Sequence, residues 1–528
     1  MRDKLDAVII GAGHNGLVTA AYLARAGWKV LVVERSALLG GCAVTEEVWP
    51  GYRVSSGAYL VSLLQERIVR ELELARHGYQ VDAKDPPFFS PFPDGRHLFM
   101  WQDPDRTLAE IAKFSRRDAE MFPLYERHLE EIASTIERLL LEAPPPFPPS
   151  GIGDLLDYWK FAGPLRKLGA AQASGLVKVF TQSAADFLDE WFESEQVKVT
   201  LATDGVIGAN GGPRSAGTAY ILLHHCMGGV GGRRGVWGFV RGGMGSVSAA
   251  IAAAAQSRGA RIRTNAPVAR IQVRGGRAVG VVLENEEEIE ARVVASSADP
   301  KVTFLRLLGE AVLPGDFANA IRRYRVEGTS CKINLALNGF PDFRCLPGAN
   351  GPQHRATMHI CPDVDYIERA WDDAKYGKPS RAPLLEMTMP TVYDPSLAPP
   401  GKHVMGIFLQ YAPYTLRGTT WEAEREAFVN RVLSLIAEYA PNFPSLIEHI
   451  DVLTPPELER RFGITGGNIF HGEMSLDQMF IARPVMGWSR YRTPVAGLYL
   501  CGSGAHPGGG VMGAPGYNAA RAILDDSR

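Results

Sequence analysis

The sequence predicts an α/β fold with more than one domain, and three observations support this prediction. Residues 6 to 35 have the pattern of a strand, a glycine-rich turn, an alanine-rich helix and a second strand. Near the other end, residues 497 to 524 repeat the order of strand, glycine-rich turn and helix. The length of 528 residues exceeds what one hydrophobic core usually supports. We therefore expect a βαβ unit at the N-terminus and at least one further domain.

The composition is that of an ordinary globular protein. Hydrophobic residues make up 46% and charged residues 22% of the chain. A net charge of -2 gives no reason to expect a nucleic-acid partner. Six cysteines are too few for a disulfide scaffold, and none forms a C-x-x-C pair. Because the first predicted strand begins close to Met1, we expect no signal peptide and a cytoplasmic location.

The N-terminal turn fits a dinucleotide-binding fingerprint formed by Gly11, Gly13, Gly16 and Glu34. The first glycine permits a tight turn, the second lets the backbone approach a pyrophosphate, and the third allows the helix to pack on the strand. Free N–H groups at the start of the helix favour phosphates. An acid at the end of the second strand accepts hydrogen bonds from a ribose. A turn that only packs is the alternative, and the surrounding strands, helix and acid argue against it.

The residues that follow favour FAD over NAD. The segment "RSALLGG", which ends in Gly40 and Gly41, resembles the extended fingerprint of FAD-binding proteins of the glutathione-reductase type. In "NAPVARI", Val268 resembles a valine whose backbone touches the adenine side in FAD amine oxidases and phytoene desaturases. The resemblance implies an FAD-binding Rossmann domain that is discontinuous in sequence, with an α+β substrate domain and a helical lid region.

In that fold the C-terminal segment returns to the same sheet, and its helix faces the flavin. The resemblance therefore implies that the two glycine-rich turns hold opposite ends of one FAD. Ser503 departs from the pattern, because many such proteins carry an acid there. The residues assigned to the cofactor are Gly11, Ala12, Gly13, His14, Asn15, Gly16, Glu34, Arg35, Gly40, Gly41, Cys42, Val268, Gly502, Ser503, Gly513 and Ala514.

Longer strings narrow the family. "GHNGLV", "GGCAVTEE", "LLHHCMGG" and "TPPELERRFGITGGNIFHGEMSLDQMFIARP" resemble the pyridine nucleotide-disulfide oxidoreductase domain-containing protein 2 branch of the phytoene desaturase-like flavoproteins. Disulfide reduction needs a cysteine pair and a second nucleotide fold, and the sequence has neither. "RGGMGSVSAAIAAA" lacks the strand and acid of such a fold. We therefore interpret Cys42 as a packing residue, with a redox thiol as the alternative.

We divide the chain into three parts. The FAD-binding domain comprises 1–85, 235–300 and 471–528, a largely helical substrate or lid region spans 86–234, and a mixed-sheet substrate domain spans 301–470. Apolar residues at helical spacing predict amphipathic helices over 104–145. For a further amphipathic stretch, "DLLDYWKFAGPLRKLGAAQ", we expect packing on its own domain. Peripheral contact with a membrane surface, or a lid over an apolar substrate, is the alternative.

His506, inside the second turn, is the candidate catalytic acid or base, and orienting its loop is the alternative role. Arg241, His471 and Arg483 are weaker candidates for the same neighbourhood. The sequence contains no spacing typical of a metal site and no nucleophile and base pair.

The predicted function is FAD-dependent oxidation, like that of a desaturase or dehydrogenase. We expect hydride transfer between flavin N5 and an apolar substrate of isoprenoid, carotenoid or lipid-like character. Oxygen, a quinone or another diffusible molecule is the expected electron acceptor. A flavin-binding regulatory protein with little turnover and an amine oxidase are the two alternatives.

Overall fold

The computed structural model describes residues 5–528. In chain order, the strands are β1 (Leu5–Ile10), β2 (Val30–Val33), β3 (Glu46–Trp49), β4 (Tyr52–Val54), β5 (Val81–Ala83), β6 (Phe88–Pro91), β7 (His97–Met100), β8 (Gly229–Val230), β9 (Arg233–Arg234), β10 (Gly238–Val240), β11 (Arg261–Arg263), β12 (Val268–Arg274), β13 (Arg277–Leu283), β14 (Glu288–Ser296), β15 (Ser330–Leu337), β16 (Thr357–Ile360), β17 (Leu384–Thr388), β18 (His403–Gln410), β19 (Ile447–Leu453) and β20 (Leu498–Leu500).

The α-helices are α1 (His14–Arg25), α2 (Glu66–Glu71), α3 (Pro104–Ile111), α4 (Arg116–Leu140), α5 (Ile152–Phe161), α6 (Ala170–Thr181), α7 (Ala184–Asp189), α8 (Glu195–Ala202), α9 (Thr218–Cys226), α10 (Gly245–Gln256), α11 (Gly315–Arg323), α12 (Val364–Lys375), α13 (Trp421–Tyr439), α14 (Phe443–Leu446), α15 (Pro455–Phe462) and α16 (Ala514–Asp525). A π-helical segment covers Val302–Leu308, and short 3₁₀ turns include Thr203–Gly205.

The first sheet contains both ends of the chain. Its parallel part has the order β11, β2, β1, β14 and β20, and β12 and β13 extend β14 as an antiparallel meander. The central strand β1 is apolar and almost wholly buried, as expected for a strand covered on both faces. Helices α1, α10 and α16 pack together against this sheet. The predicted α/β fold with a discontinuous Rossmann domain is confirmed.

The helical region follows from its amphipathic sequence. In α4, the buried residues recur at helical spacing, and the side chain of Ser115 caps the helix by accepting the N–H of Asp118 at 3.0 Å. Helices α3 to α9 lie within the range predicted to be largely helical. The exact domain boundaries stay a prediction.

The second sheet has seven strands in the order β19, β15, β18, β17, β16, β6 and β7. All pairs are antiparallel except β16 with β6. The prediction of sheet structure over 301–470 agrees with β15 to β19, but β6 and β7 also join this sheet although the sequence placed them with the helices. Strands of four residues carry little periodicity, and their pairing with β16 is a long-range contact that local sequence does not encode.

Helix α5 is the least buried of the predicted amphipathic segments. None of its residues is buried, and Ile152, Leu155, Leu156 and Trp159 are all more than half exposed. Arg166 lies 3.4 Å from the centroid of the Trp159 ring. The helix nevertheless contacts the rest of the protein, because Phe161 packs against the core of the helical region and Asp157 pairs with Arg490 at 3.5 Å. Across residues 5–528, no helix has both the length and the apolar character needed to cross a membrane.

Candidate functional site

The N-terminal turn joins β1 to α1 as the fingerprint predicts. Gly11 has a φ of +89°, a left-handed conformation that favours glycine. A Cβ on Gly16 would lie 2.2 Å from the carbonyl oxygen of Gly11, so only glycine lets α1 pack this closely. Glu34 follows β2, and its carboxylate accepts the backbone N–H groups of Ala12 at 2.7 Å and Ser36 at 2.9 Å. The acid is thereby fixed beside the turn.

The C-terminal turn lies directly against the N-terminal one. Asn15 Nδ2 donates a hydrogen bond to Ser503 Oγ at 3.1 Å. A Cβ on Gly516 would lie 2.1 Å from the carbonyl oxygen of Asn15, and Thr19 Oγ1 donates to the carbonyl of Gly516 at 3.0 Å. Helices α1 and α16 are therefore in backbone contact. Ser503 thus links the two turns.

One cavity of about 670 Å³ runs along both turns and into the space beside the second sheet. Most of the residues assigned to the cofactor line it, namely Gly11, Gly13, His14, Asn15, Glu34, Arg35, Gly40, Gly41, Cys42, Val268 and Ser503. The structure thus brings together residues from the two ends and the middle of the sequence.

The other residues assigned to the cofactor do not line the cavity but support those that do. Ala12 binds Glu34 through its N–H, and Gly16 packs on the turn. A Cβ on Gly502 would lie 2.3 Å from the carbonyl oxygen of Ser297. Gly513, with a φ of +73°, precedes α16, and Ala514 is its buried first residue.

The lining of this cavity fits a bound dinucleotide. A Cβ on Gly13 would meet no protein atom closer than Ser297 Oγ at 3.7 Å, and one on Gly41 none closer than 3.5 Å. Both glycines therefore leave room for a ligand rather than for protein. In the same wall, His14 Nε2 and Asn15 Oδ1 are buried without a hydrogen-bond partner among the described residues. Next to the free N–H groups of α1, these atoms offer hydrogen bonds to a ligand.

Cys42 lies in the cavity wall, and the structure gives it no redox partner. All six cysteines are free. Burial raises the pKa of the Cys42 thiol to about 12, whereas a reactive cysteine needs a lowered pKa. These findings support the interpretation of Cys42 as a packing residue.

His506 is fully buried and does not line the cavity. Its Nε2 lies 3.3 Å from the carbonyl oxygen of Leu139, and its ring faces Phe480 at 6.0 Å. Burial lowers the pKa of this imidazole to about 4, so it is neutral at physiological pH. The contacts fix its loop against the end of α4, and the catalytic role stays a prediction that no contact supports.

The three weaker candidates have different environments. Arg241 is half exposed, does not line the cavity, and pairs with Asp82 at 2.8 Å. His471 lines the cavity with a φ of +58°, and burial lowers its pKa. Arg483 is fully buried, and its guanidinium donates to the backbone carbonyls of Phe470, Gly472, Glu473, Gln478 and Ser503. Arg483 thus fixes the loop around 470–478 to the second turn.

The sequence reasoning missed Ser297, which follows β14 and lies where the two turns meet. Its N–H donates to the carbonyl of Ile10 at 2.9 Å, and its side chain lines the cavity. A Cβ on Gly11 would lie 3.6 Å from Ser297 Cβ. Ser297 lies in "VVASSADP", and the parallel pairing of β14 with β1 brings this serine to the turn.

The sequence reasoning also missed a group of buried and half-buried ionisable residues at the sheet side of the cavity, which we call the inner cluster. It consists of Lys84, Asp204, Lys332 and Glu386. Tyr59 OH donates to Glu386 Oε1 at 2.8 Å, and the Tyr59 ring lies 4.0 Å from Lys332 Nζ. A charge in the middle of a wholly buried strand was the available signal, as in "SCKINLAL" and "LLEMT".

Burial shifts the pKa values of three members of the inner cluster towards neutral pH. It lowers the pKa of Lys332 to about 7 and that of Lys84 to about 8, and it raises the pKa of Asp204 to about 7. Burial also acts to raise the pKa of Glu386, but the neighbouring imidazole of His359, the charge of Lys84 and the hydroxyl of Tyr59 outweigh it, so this pKa is lowered. The cavity therefore contains groups that exchange protons near neutral pH.

Comparison with known proteins identifies the family. The pattern of flavin containing amine oxidoreductases matches residues 16–524. Pyridine nucleotide-disulfide oxidoreductase domain-containing protein 2 of Mus musculus is 46% identical over 547 residues, which cover 100% of this chain and 94% of that protein. One of the limonene dehydrogenase subunits of Castellaniella defragrans is 28% identical over 99% of this chain and 95% of its own length. Phytoene desaturase (neurosporene-forming) of Cereibacter sphaeroides is 25% identical over 97% of this chain and 92% of its own length.

Solved structures show the same fold. A triple mutant of putrescine oxidase matches with a TM-score of 0.61 and 15% identity over 99% of both chains. An oxidoreductase of Methanosarcina mazei matches with a TM-score of 0.58 and 18% identity over 99% of this chain and 100% of that one. The cavity along the two turns has a lining that fits the flavin cofactor of this family. The chain therefore belongs to the flavin containing amine oxidoreductase family and is an FAD-dependent oxidoreductase.

Proposed function

We propose that this enzyme oxidises a substrate with a largely apolar body, in the manner of a desaturase or dehydrogenase. The observation that carries the proposal is the single cavity that joins the nucleotide turns to an apolar chamber beside the second sheet. The apolar residues of this chamber are Leu60, Leu63, Phe88, Ile207, Trp237, Phe408, Ile469 and Phe470. Two relatives are named for limonene and phytoene, and those names support a substrate of this kind.

FAD bound along the two turns supplies a hydride acceptor at N5 and a store for two electrons. The chain's own residues supply the environment. The apolar walls exclude water from the chamber, which strengthens the electrostatic effect of every polar group inside it. Asp204 lines the cavity, and its carboxyl, with a pKa raised to about 7 by burial, can accept the proton that the substrate releases.

The electron acceptor in this proposal is oxygen, a quinone or another diffusible molecule. The structure of "RGGMGSVSAAIAAA", the segment that lacks the pattern of a second nucleotide fold, supports this choice. Before α10 begins, the short strand β10 pairs with β5 and bridges Val61, in both cases in antiparallel fashion, so among the described residues it belongs to no parallel βαβ unit.

The test is anaerobic reduction of the purified holoenzyme by candidate substrates, followed as bleaching of the flavin absorbance. Isoprenoid alkenes and long-chain lipids form one panel, and simple primary amines form the other. Bleaching by the first panel is expected. Bleaching by simple amines alone would favour the amine oxidase alternative, and no bleaching by either panel would favour the regulatory alternative.

We also propose that α5 contacts a lipid surface, from which an apolar substrate is taken up. Its exposed side chains Leu155, Leu156 and Trp159 lie beside the cations Lys160 and Arg166. Apolar side chains next to basic ones suit an anionic bilayer surface.

A further inference from the structure

The second sheet carries a row of side chains that crosses four adjacent strands. In the strand register, Lys332 of β15 is opposite Phe408 of β18, Phe408 is opposite Glu386 of β17, and Glu386 is opposite His359 of β16. Residues directly opposite one another on neighbouring strands point to the same face of a sheet. Lys332, Phe408 and Glu386 line the cavity. On the floor of the chamber, Lys332 therefore lies on one side of the Phe408 ring and Glu386 on the other.

Lys84 approaches this row from outside the sheet. It follows β5, and its position is fixed by a backbone hydrogen bond from its N–H to the carbonyl of Trp237 at 2.9 Å. Its Nζ donates to Thr357 Oγ1 on β16 and lies 4.9 Å from the centroid of the Phe88 ring. Phe88 in turn lies 5.0 Å from the ring of His359. Both lysines of the inner cluster therefore reach the same chamber.

The two lysines of this chamber have N–H donors that lack hydrogen-bond acceptors. A lysine ammonium carries three N–H donors and no acceptor. Lys332 is 3% exposed, and its Nζ has no hydrogen-bond partner among the described residues. Lys84 is 2% exposed, and among the described residues its Nζ donates a hydrogen bond only to Thr357. Buried donors without acceptors destabilise the fold, so the chamber suits a ligand that brings acceptor atoms.

The acids of the cluster are less available to a ligand. Glu386 accepts the hydroxyl of Tyr59 at Oε1, and its Oε2 lies 3.8 Å from His359 Nε2. Burial and the nearby charge of Glu386 raise the pKa of Asp204, so this carboxyl is protonated for much of the time near neutral pH. An alkylammonium group in the chamber would therefore meet two lysines, one carboxylate already bound to Tyr59, and one carboxyl that is protonated for part of the time.

We propose that the substrate carries a carboxylate on its apolar body and that Lys84 and Lys332 bind this group. A carboxylate supplies acceptors for both lysines and pairs with their positive charge. The apolar lining described above then holds the hydrocarbon part. This inference rests on the proposed function and specifies the substrate class of the same cavity.

The test measures the binding of three probes with the same chain, octanoate, octanol and octylamine, to the oxidised holoenzyme. Titration calorimetry and perturbation of the flavin absorbance provide readouts that need no turnover. We expect the Kd of octanoate to be at least tenfold lower than that of either other probe. Octylamine binding as tightly as octanoate, or more tightly, would overturn the proposal.

A matched pair of variants assigns the effect to the cavity. Lys84→Met removes the charge at nearly constant length, and we expect it to weaken octanoate binding at least tenfold while changing octanol binding less than twofold. Lys198→Met is the control, because Lys198 is a mostly buried lysine that does not line the cavity and already pairs with Asp189 at 2.7 Å. Unchanged octanoate binding by Lys84→Met would refute the role of this lysine.

The outcomes separate this inference from the proposed function. If Lys84→Met fails to retain FAD, the ranking of the three probes on the unaltered enzyme decides the question alone. If no candidate substrate reduces the flavin, the proposed function fails while the preference for octanoate remains measurable. If substrates reduce the flavin but octanoate binds no better than octanol, only the inference of a carboxylate fails.

Discussion

Two glycines of the N-terminal turn, three residues apart, are expected to fail in different ways when replaced by alanine. At Gly16 the added Cβ would lie 2.2 Å from the carbonyl oxygen of Gly11 and 3.1 Å from Ser297 Cβ. Neither contact is with the end of a flexible side chain, so α1 must move away from β1. Overpacking of this kind costs about 1–3 kcal/mol. Gly16→Ala should therefore lower the stability of the apoprotein as well as its FAD content.

At Gly13 the same substitution leaves the fold intact. The φ of -64° suits alanine, and the new Cβ would come no closer than 3.7 Å to any protein atom outside its chain neighbours. An alanine at a compatible glycine position stabilises by about 0.4–1 kcal/mol, through the unfolded state. The methyl group would stand in the cavity where we expect the pyrophosphate. We expect FAD affinity to fall at least tenfold, which corresponds to about 1.4 kcal/mol.

The assay combines urea unfolding of both apoproteins, followed by circular dichroism, with the ratio of FAD to protein after purification. Gly153→Ala is the control, because no atom lies within 4 Å of a Cβ at that exposed position. A Gly13→Ala protein with a normal FAD ratio would refute the assignment of this turn to the pyrophosphate. Equal stability of Gly16→Ala and the unaltered chain would refute the packing argument.

Glu34→Ala should lower FAD retention and destabilise the apoprotein by about 1–3 kcal/mol, because two backbone donors lose their acceptor; urea unfolding and the FAD ratio measure both effects, and an unchanged ratio would contradict the ribose assignment. The pKa of His506 is about 4 in the fold against an ordinary 6.5, so the unfolded chain binds its proton first and stability is lost as pH falls from 6.5 towards 4. His506→Gln should therefore show a smaller fall in Tm between pH 7 and pH 5, and an equal fall would be inconsistent with a buried neutral imidazole. Leu155→Asp combined with Trp159→Ser should reduce co-sedimentation with anionic vesicles several-fold at unchanged FAD content, and undiminished sedimentation would exclude α5 as the contact.

The charged residues of the chamber show why part of the site could not be predicted from the sequence. Lys332, Glu386 and His359 lie on three strands whose order in the sheet differs from their order in the sequence. A charge inside an apolar strand signals that something unusual is buried there, but the signal does not say which other charges it meets. His506 shows the reverse case, because its position in the second turn predicts a place near the flavin, whereas its Nε2 lies 3.3 Å from the carbonyl oxygen of Leu139 and its side chain does not line the cavity.

The sequence by itself determined the elements whose requirements are local. A tight turn, a close helix and strand contact and an acid at a strand end depend on residues within one βαβ unit, so their spacing along the chain predicts Gly11, Gly16 and Glu34. Only the tertiary structure decided which residues share the cavity with them. The pairing of β6 with β16, the contact between Asn15 and Ser503, and the approach of Lys84 to the second sheet join segments far apart in the chain. Such contacts depend on strand register and on the packing of whole elements, which no short stretch of sequence specifies.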